Sequence, residues 1–184
     1  MKKGQSHPAA LTSKKLLSSA LIKLMDKKEY EYISITELCE HSQVSRRTFY
    51  RNFDKIDDII IFIAKGIINE FVSEINKHSK ESFYDVMISF FSFWKNYSQI
   101  ILTFNKSNLI HIIFKEYIEC LPEIPCICNI NKIDLECEDT AYLVAFAAGG
   151  LWSMLTYWII CGCKKSPEEL SKIIKTQILA IRSE

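Results

Sequence analysis

Apolar residues recur along this chain at spacings of three and four positions, which is the period of one buried face of an α-helix. The sequence holds five glycines and four prolines, so it has few of the residues that β-turns need. We therefore predict an all-α protein. Apart from residues 34–53, the spacing predicts helices at about residues 12–27, 54–78, 81–98, 99–104, 108–121, 138–161 and 166–183. A mobile basic arm is predicted at 1–11 and a loop at 122–137.

The most informative pattern lies at residues 34–53, where two short helical segments are separated by a few polar residues. Ser34 begins a capping box that opens the first segment. Ser45 can cap the second, whose apolar residues Phe49 and Phe53 are four positions apart. Two short helices joined in this way predict a helix-turn-helix, which must pack on the preceding helix because it cannot bury its own apolar face.

The outer face of the second segment carries cations, hydroxyl groups and an amide. Arginine presents a planar fork that matches guanine in the major groove, so Arg46 and Arg47 are candidate base readers. The hydroxyl of Tyr50 can donate to a phosphate oxygen, a contact that positions a helix without reading sequence. The alternative interpretation is a solvated polar face on an ordinary helical hairpin. The predicted DNA contacts are Thr36, Ser45, Arg46, Arg47, Thr48, Tyr50, Asn52 and Lys55.

Charge is divided unevenly along the chain. Residues 1–55 hold 11 Lys and Arg against 6 Asp and Glu, whereas residues 56–184 hold 12 against 16. The first part therefore carries +5 and the second −4, so the first part alone is suited to a polyanion such as DNA. Hydrophobic residues make up 48% of the chain, which is enough for a substantial core.

Seven cysteines are present, and the first residues lack the apolar segment of an export signal. An odd number of cysteines without such a signal indicates reduced thiols and a cytoplasmic protein. Cys126 and Cys128, like Cys161 and Cys163, are separated by one residue rather than by the two that are usual in chelating pairs. We therefore predict no bound metal and no cofactor.

The second part of the chain is rich in aromatic residues at helical spacing. Most such residues form core, but some could surround an apolar or aromatic ligand, with His111 as a polar group. No glycine-rich phosphate loop, metal-spaced histidine pair or recognisable Ser/His/Asp set is present, so we predict that the protein is not an enzyme. The candidate ligand contacts are Phe90, Phe91, Trp94, Phe104, His111, Phe114, Tyr142 and Phe146.

Residues 140–163 contain no charged side chain over 24 positions, which is long enough for a membrane span. Small residues within this segment, such as Ala148 and Ser153, also allow another helix to approach closely, as in a subunit interface. The sequence leaves both interpretations open. We favour the interface and predict no membrane contact.

Residues 34–60 read SITELCEHSQVSRRTFYRNFDKIDDII, and this stretch resembles the DNA-binding signature of the tetracycline-repressor (TetR/AcrR) family of transcriptional regulators. The likeness extends over about residues 16–60; beyond them it rests on length and helical layout. The positions that carry it above all are Val44, Ser45, Thr48, Phe49, Tyr50 and Phe53.

Two positions depart from the family pattern. Gln43 stands where glycine is usual in the turn, so its backbone is expected to be left-handed at a cost of about 1–2 kcal/mol. Ile56 stands where a lysine is usual at the start of the fourth helix, and Lys55 beside it is the candidate to replace that phosphate contact.

The resemblance implies a helix-turn-helix DNA-binding domain at residues 1–54 and a helical ligand-binding and dimerisation domain at 55–184, connected by a lever helix at 55–78. It also implies a homodimer built from the last two helices, with two recognition helices about 34–36 Å apart on a palindromic operator. The interface residues would be Ala145, Gly149, Trp152, Ser153, Ile174 and Ile178.

The function that follows is sequence-specific transcriptional regulation by a homodimeric repressor, which a small-molecule effector releases from double-stranded DNA. One alternative is a regulator-like coactivator that binds protein and has lost DNA readout. A second alternative is a membrane-tethered regulator held by residues 140–163.

Overall fold

The computed structural model describes residues 8–77, 82–124 and 138–181, and all regular structure within these ranges is helical. No strand occurs in them, which confirms the all-α prediction. Two 3₁₀ turns, Tyr30–Tyr32 and Leu121–Glu123, lie before α2 and after α7. The helices are α1 (Pro8–Met25), α2 (Ile35–Ser42), α3 (Arg46–Asn52), α4 (Ile56–Lys77), α5 (Phe83–Asn96), α6 (Ser98–Lys106), α7 (Ile110–Cys120), α8 (Glu138–Ile160) and α9 (Pro167–Ile181).

Helix α1 begins at Pro8, earlier than predicted. Proline suits the first turn because its fixed φ is helical and its missing N–H needs no partner there. The hydroxyls of Thr12 and Ser13 donate to the carbonyls of Pro8 and Ala9 at 3.0 and 2.9 Å, so they lie inside the helix rather than capping it. The last residues of the predicted arm are therefore helical, and residues 1–7 lie outside the described part of the chain.

Helix α1 is the floor on which the helix-turn-helix packs, as its apolar stripe predicted. It contacts both α2 and α3. Leu17 and Leu21 on α1, Leu38 on α2 and Phe49 on α3 are each 0% exposed. Burying one such side chain stabilises a fold by about 1.5–3 kcal/mol, so this shared core holds three short elements that would not be stable alone.

Helix α4 contacts the helix-turn-helix at one end and the remaining helices at the other. Near its start, the ring of Phe62 lies 5.8 Å from that of Phe53, which ends α3. Further along, the ring of Phe71 lies 5.5 Å from Trp94 on α5 and 5.9 Å from Tyr117 on α7. One continuous helix therefore connects the two parts, and the domain boundary at residue 54 stays a prediction.

The start of α4 is capped by Asp58. Its carboxylate accepts hydrogen bonds from the backbone N–H groups of Asp54 and Lys55, at 2.9 and 3.1 Å. Asp58 lies in the first turn, where its charge also faces the positive end of the helix dipole. This leaves Asp57 available for side-chain contacts that are described below.

Helices α5 to α9 form the part of the protein that we call the body, and α8 and α9 complete it. Helix α9 packs on α5, and α8 packs on α5, α6 and α7. A capping box opens α9: the backbone N–H of Ser166 donates to the Glu169 carboxylate at 2.7 Å, and the N–H of Glu169 donates to the Ser166 hydroxyl at 3.2 Å. Among the side chains of α8 that the structure describes, the buried ones are Ala148, Trp152, Leu155, Trp158 and Ile159.

Two further segments were distinguished by their sequence, the predicted loop at residues 122–137 and the uncharged stretch at residues 140–163. Of the predicted loop, residues 125–137 lie outside the described residues, together with Cys126, Cys128 and Cys137. Across the ranges that the structure describes, no helix has both the length and the apolar character needed to cross a membrane.

Candidate nucleic-acid interface

The turn between α2 and α3 has the geometry that the sequence predicted. The hydroxyl of Ser34 caps α2 by accepting from the N–H of Glu37 at 3.2 Å. Gln43 ends the helix at φ 54° and ψ 28°, so its backbone is left-handed although it is not glycine. Val44 follows, buried, with its N–H donating to the carbonyl of Cys39 at 3.1 Å. These bonds fix the direction in which the chain enters α3.

The rotation of α3 about its axis is fixed from beneath and from its start. Phe49 and Phe53 are buried, with ring centroids 6.3 Å apart. The hydroxyl of Ser45 accepts from the N–H of Thr48 at 3.2 Å, which confirms the predicted N-cap. The side chains of Arg46 and Arg47 are consequently exposed to solvent.

Tyr50 is also exposed on α3, at 50% of its surface, and its ring packs edge-on against Phe49 at 5.2 Å. This contact holds the ring while leaving the hydroxyl end free to reach outward. Arg47, Tyr50 and Arg51 therefore share one polar surface with Arg46, which we call the basic face.

Three of the predicted DNA contacts, Ser45, Thr48 and Asn52, already have hydrogen-bond partners in or next to α3. The amide nitrogen of Asn52 donates to the carbonyl of Thr48 at 2.8 Å, so this side chain turns back onto its own helix. Thr48 is half-buried, and its hydroxyl oxygen accepts from the hydroxyl of Ser45 at 3.0 Å. Thr36 lies apart from them, exposed on α2.

Lys55 forms an ion pair with Asp57. Its ammonium group lies 3.0 Å from the carboxylate of Asp57, and Asp57 also accepts a hydrogen bond from the hydroxyl of Tyr30. The hydrogen bond from Tyr30, followed by that from Lys55, lowers the pKa of Asp57, and the bond to Asp57 raises the pKa of Lys55. Burial, reinforced by Asp57, raises the pKa of Tyr30. The candidate phosphate contact is thus part of a three-residue network.

The structure adds Lys14 and Arg51 to the candidate surface. They line an open groove of about 410 Å³ between α1, α3 and α4, next to Tyr50 and Lys65. The ammonium group of Lys14 lies 5.3 Å from the centre of the Phe53 ring, within the range of a cation–π contact. Lys14 lies off the apolar stripe of α1, which was the sequence signal that it faces outward.

In the body, aromatic residues fill the space between α4, α5, α7 and α8. Of the eight candidate ligand contacts, Phe90, Phe91, Trp94 and Phe104 are buried. Phe114 is half-buried, with its ring 5.6 Å from Trp152. The other three are exposed. The Trp94 indole N–H is buried without a hydrogen-bond partner among the described residues.

The three exposed candidates do not join this cluster. His111 lies on the surface, with Nδ1 3.0 Å from the carbonyl of Asn108 in the turn before α7. Tyr142 and Phe146 are 68% and 82% exposed on the outer side of α8. These three side chains lie outside the aromatic cluster that contains Phe90, and their role as ligand contacts stays a prediction.

The outer side of α8 carries a stripe of exposed apolar residues. Its members, which we call the outer stripe, recur at three- and four-residue intervals together with the small residues Gly150 and Ser153. Tyr157 and Ile160, which the sequence did not single out, belong to it. The members of the outer stripe are Tyr142, Phe146, Tyr157 and Ile160.

The residues expected at a dimer interface are divided by the structure. Ala145 and Ser153 are exposed and Gly149 is half-buried, so all three border the outer stripe. Trp152 faces the interior instead, stacked 5.3 Å from Tyr117, and it is 7% exposed. Trp152 is therefore a core residue, because the aromatic cluster already covers its ring.

Ile174 and Ile178, the remaining two, lie on α9. Ile174 is half-buried against the core, and the side chain of Ile178 lies outside the described residues. Cys161 and Cys163 are partly exposed free thiols at the turn after α8, and burial raises the pKa of Cys163. Within the described ranges, no group of His, Cys, Asp and Glu side chains is arranged to hold a metal ion.

A capped helix-turn-helix on a helical body defines an all-helical transcriptional regulator. Residues 81–179, more than half of the chain, match the TetR-type family described as a transcriptional regulator C-terminal region. The chain belongs to this family of transcriptional regulators. The family resemblance of the helix-turn-helix residues is therefore confirmed by a match in the C-terminal part of the chain. Regulators of this kind bind DNA and act as dimers.

Solved structures of other proteins share this fold. Lin0861 from Listeria innocua superposes with a TM-score of 0.76 at 16% identity, covering 98% of this chain and 96% of its own. The fatty acid degradation regulator FadR from Bacillus halodurans gives 0.66 at 16%, covering 96% and 97%. The dihydroxyacetone kinase operon activator DhaS gives 0.60 at 18%, covering 91% and 94%. At these identities the likeness shows the fold. No curated protein matches the sequence.

Proposed function

We propose that the protein is a cytoplasmic, homodimeric regulator that binds a specific DNA sequence and is released from it by a small-molecule effector. The observation that carries this proposal is the basic face of α3. Phe49 is 0% exposed beneath it, while Arg46, Arg47 and Tyr50 project outward. A helix held this way can enter a major groove without rearranging.

Each residue of this face has a role that its chemistry suggests. Arg46 and Arg47 at the start of α3 are placed to read guanine through O6 and N7. Tyr50 and Thr36 are suited to phosphate contacts, which set the register of the helix on the duplex. Lys14 and Arg51, beside the groove next to α3, extend the positive surface and add to phosphate binding.

Dimerisation is supported by the outer stripe of α8. Large apolar residues on one helix face, flanked by small ones, form a surface that a second copy of the chain would cover. A two-fold axis through this surface would present two basic faces to a palindromic operator, with half-sites about 34–36 Å apart.

Effector control is supported by the connection through α4. Phe62 near its start touches Phe53 of the helix-turn-helix, and Phe71 further along lies within the aromatic cluster of the body. A ligand that prefers one position of this helix would therefore shift the basic faces of the dimer. Similar folds serve a fatty acid degradation regulator and an operon activator, so metabolite control suits this architecture.

The test is DNA binding across a salt titration, using the DNA upstream of the protein's own coding region. We expect sequence-selective binding whose logarithm falls linearly with the logarithm of salt concentration, because cations of the basic face displace counterions from phosphates. Equal binding to scrambled DNA at low salt would overturn the proposal.

A second candidate is activation through a protein partner, without sequence reading by α3. The observation that favours it is the ion pair of Lys55 with Asp57, which occupies the candidate replacement for the family's phosphate-binding lysine. DhaS, of similar fold, is described as an operon activator. The same salt titration separates the two candidates, because the coactivator would show no sequence selectivity.

A further inference from the structure

A groove of about 700 Å³ runs along the surface between α4 and α5, outside the aromatic cluster of the body. Its volume lies in the range of about 300–1,000 Å³ that is usual for small-molecule sites. No lysine or arginine is among the described residues that line it. The residues that matter for its chemistry are Glu70 and Glu74 on α4, and Ser92, Phe93, Asn96 and Tyr97 on or next to the end of α5.

One wall of the groove is aromatic. The rings of Phe93 and Tyr97 lie 5.0 Å apart with their planes tilted by 35°. Phe93 is half-buried, because its ring also lies 5.4 Å from Phe71 in the core. The pair is therefore held from behind, and its remaining surface faces the groove.

The opposite wall is acidic. Glu70 and Glu74 are one helical turn apart on α4, so their carboxylates lie on the same side of the helix. The Tyr97 hydroxyl donates to Glu70 at 2.5 Å, which ties the end of the aromatic wall to the acidic one. Burial, and then this bond, raises the pKa of Tyr97 to about 12, so the hydroxyl keeps its proton as a donor.

Glu74 already attracts a cation. Its carboxylate lies 2.7 Å from the ammonium group of Lys77, one turn further along the same helix. The Lys77 side chain is 64% exposed, and ion pairs of this exposed kind contribute about 1 kcal/mol or less. A ligand cation with an additional aromatic contact can therefore compete with this lysine.

We propose that this groove binds an organic cation, with the positive centre between the carboxylates of Glu70 and Glu74 and its apolar part against Phe93 and Tyr97. Aromatic faces attract cations through the ring quadrupole, and the neighbouring carboxylates add direct charge attraction. The proposal rests on the regulatory function proposed above and names the chemical class of its effector. Both carboxylates lie on α4, the helix that also touches Phe53, so binding there acts on the connection to the basic face.

The first experiment titrates the full-length wild-type protein with tetraphenylphosphonium by isothermal calorimetry, and with neutral triphenylphosphine oxide for comparison. We expect saturable binding of the cation, at least about tenfold tighter than the neutral compound, because the carboxylates attract charge alone. Equal binding of the two compounds, or no saturable binding of the cation, would overturn the inference.

The second experiment locates the site. Glu70→Gln and Glu74→Gln should each weaken cation binding about fivefold, and both keep an oxygen that can accept hydrogen bonds. Glu119→Gln is the matched control, since Glu119 also lies on a helix surface and pairs with a lysine, Lys115, but does not line the groove. Equal weakening by Glu119→Gln would place the cation elsewhere. Circular dichroism confirms that each variant is folded.

The third experiment separates this inference from the proposed function. Operator binding without ligand tests the function, and binding of tetraphenylphosphonium without DNA tests the groove. Selective DNA binding without cation binding would overturn only the proposal for the groove. Cation binding without selective DNA binding would overturn only the proposed DNA-binding function. If both hold, saturating cation should change operator affinity about tenfold in wild type and less in Glu74→Gln.

Discussion

Gln43 ends α2 in a left-handed backbone conformation. The turn between α2 and α3 needs a left-handed residue whatever its side chain, and Gln43 adopts φ 54°. A Cβ atom makes that conformation unfavourable by about 1–2 kcal/mol.

Gln43→Gly should therefore stabilise the protein by about 1 kcal/mol, raising Tm by about 2–4 °C for a chain of this length. The stabilisation is read from the midpoint of thermal unfolding by circular dichroism. Gln43→Ala is the control, because it removes the amide and keeps the Cβ atom, so no comparable increase is expected. A similar increase for both variants would assign the effect to the amide rather than to the backbone.

The basic face allows a contrast between neighbouring residues of α3. Arg46→Ala or Arg47→Ala should cost about 1–3 kcal/mol of operator binding and relax the preference at one or two base positions. Tyr50→Phe removes one hydroxyl and should weaken all sequences about equally, since a phosphate contact carries no base information. Binding measured on a panel of single-base operator variants distinguishes them. A preference change confined to one base pair in Tyr50→Phe would contradict its assignment to phosphate.

Caps were predictable and side-chain partners were not. Ser34, Ser45 and Ser166 cap helices as their local sequence indicates, because the bonds involved lie within a few residues. Asn52 and Lys55 looked free in the sequence, yet Asn52 bonds to the carbonyl of its own helix and Lys55 pairs with Asp57. Several partners compete for such flexible side chains, and the choice depends on three-dimensional distances.

At the scale of the elements, helix positions followed from periodicity, while the orientation of α8 did not. A helix with a clear apolar stripe, such as α1, reveals which face is buried. The segment at residues 140–163 is apolar all round, so sequence could not assign Trp152 to the core or Phe146 to the surface. The aromatic cluster on α5 and α7 decides this orientation, through contacts such as that of Trp152 with Tyr117.

The hydrogen bond from Tyr97 to Glu70 joins α5 to α4 and gives this pair of helices a pH dependence. The pKa of Tyr97 is raised to about 12 by burial and by Glu70, against about 10 in an unfolded chain. Between about pH 10 and 12 the unfolded state therefore releases a proton that the folded state keeps. The unfolded state then binds fewer protons, so this contribution to stability is full below about pH 10 and is lost as the pH rises.

Tyr97→Phe should accordingly be less stable than wild type at pH 8, and its stability should fall less steeply between about pH 10 and 12. Urea unfolding at a series of pH values measures the slope. Tyr32→Phe, at a side chain that is 71% exposed, is the control for general alkaline effects. Parallel slopes for wild type and Tyr97→Phe would show that this bond does not link the two helices.

At the scale of the whole molecule, the organisation of the chain explains why its two ends were recognised by different means. The helix-turn-helix carries a local signature, because caps, turn and basic face all lie within residues 34–55. In the body, residues 81–179 match the family over their whole length, although no comparably short motif occurs there. Packing constrains only the composition of such a stretch. Helix α4 connects these two parts through contacts such as that of Phe62 with Phe53.

The outer stripe of α8 supplies the test at this scale. Tyr157 is 71% exposed, and a second copy packed on α8 would bury it, so Tyr157→Glu should place a charge in an apolar interface and produce monomers. Tyr32→Glu is a matched control, since Tyr32 is equally exposed but lies in the turn before α2. Sedimentation velocity should therefore show dimers for wild type and Tyr32→Glu, and monomers for Tyr157→Glu.

The same variant connects assembly to DNA binding. A monomer presents one basic face, so Tyr157→Glu should bind a full palindrome no more tightly than a half-site, whereas wild type gains from engaging both halves at once. A Tyr157→Glu protein that remains dimeric would remove α8 from the interface. A monomer that still prefers the full palindrome would show instead that two helix-turn-helix domains associate on DNA without contacts between the bodies.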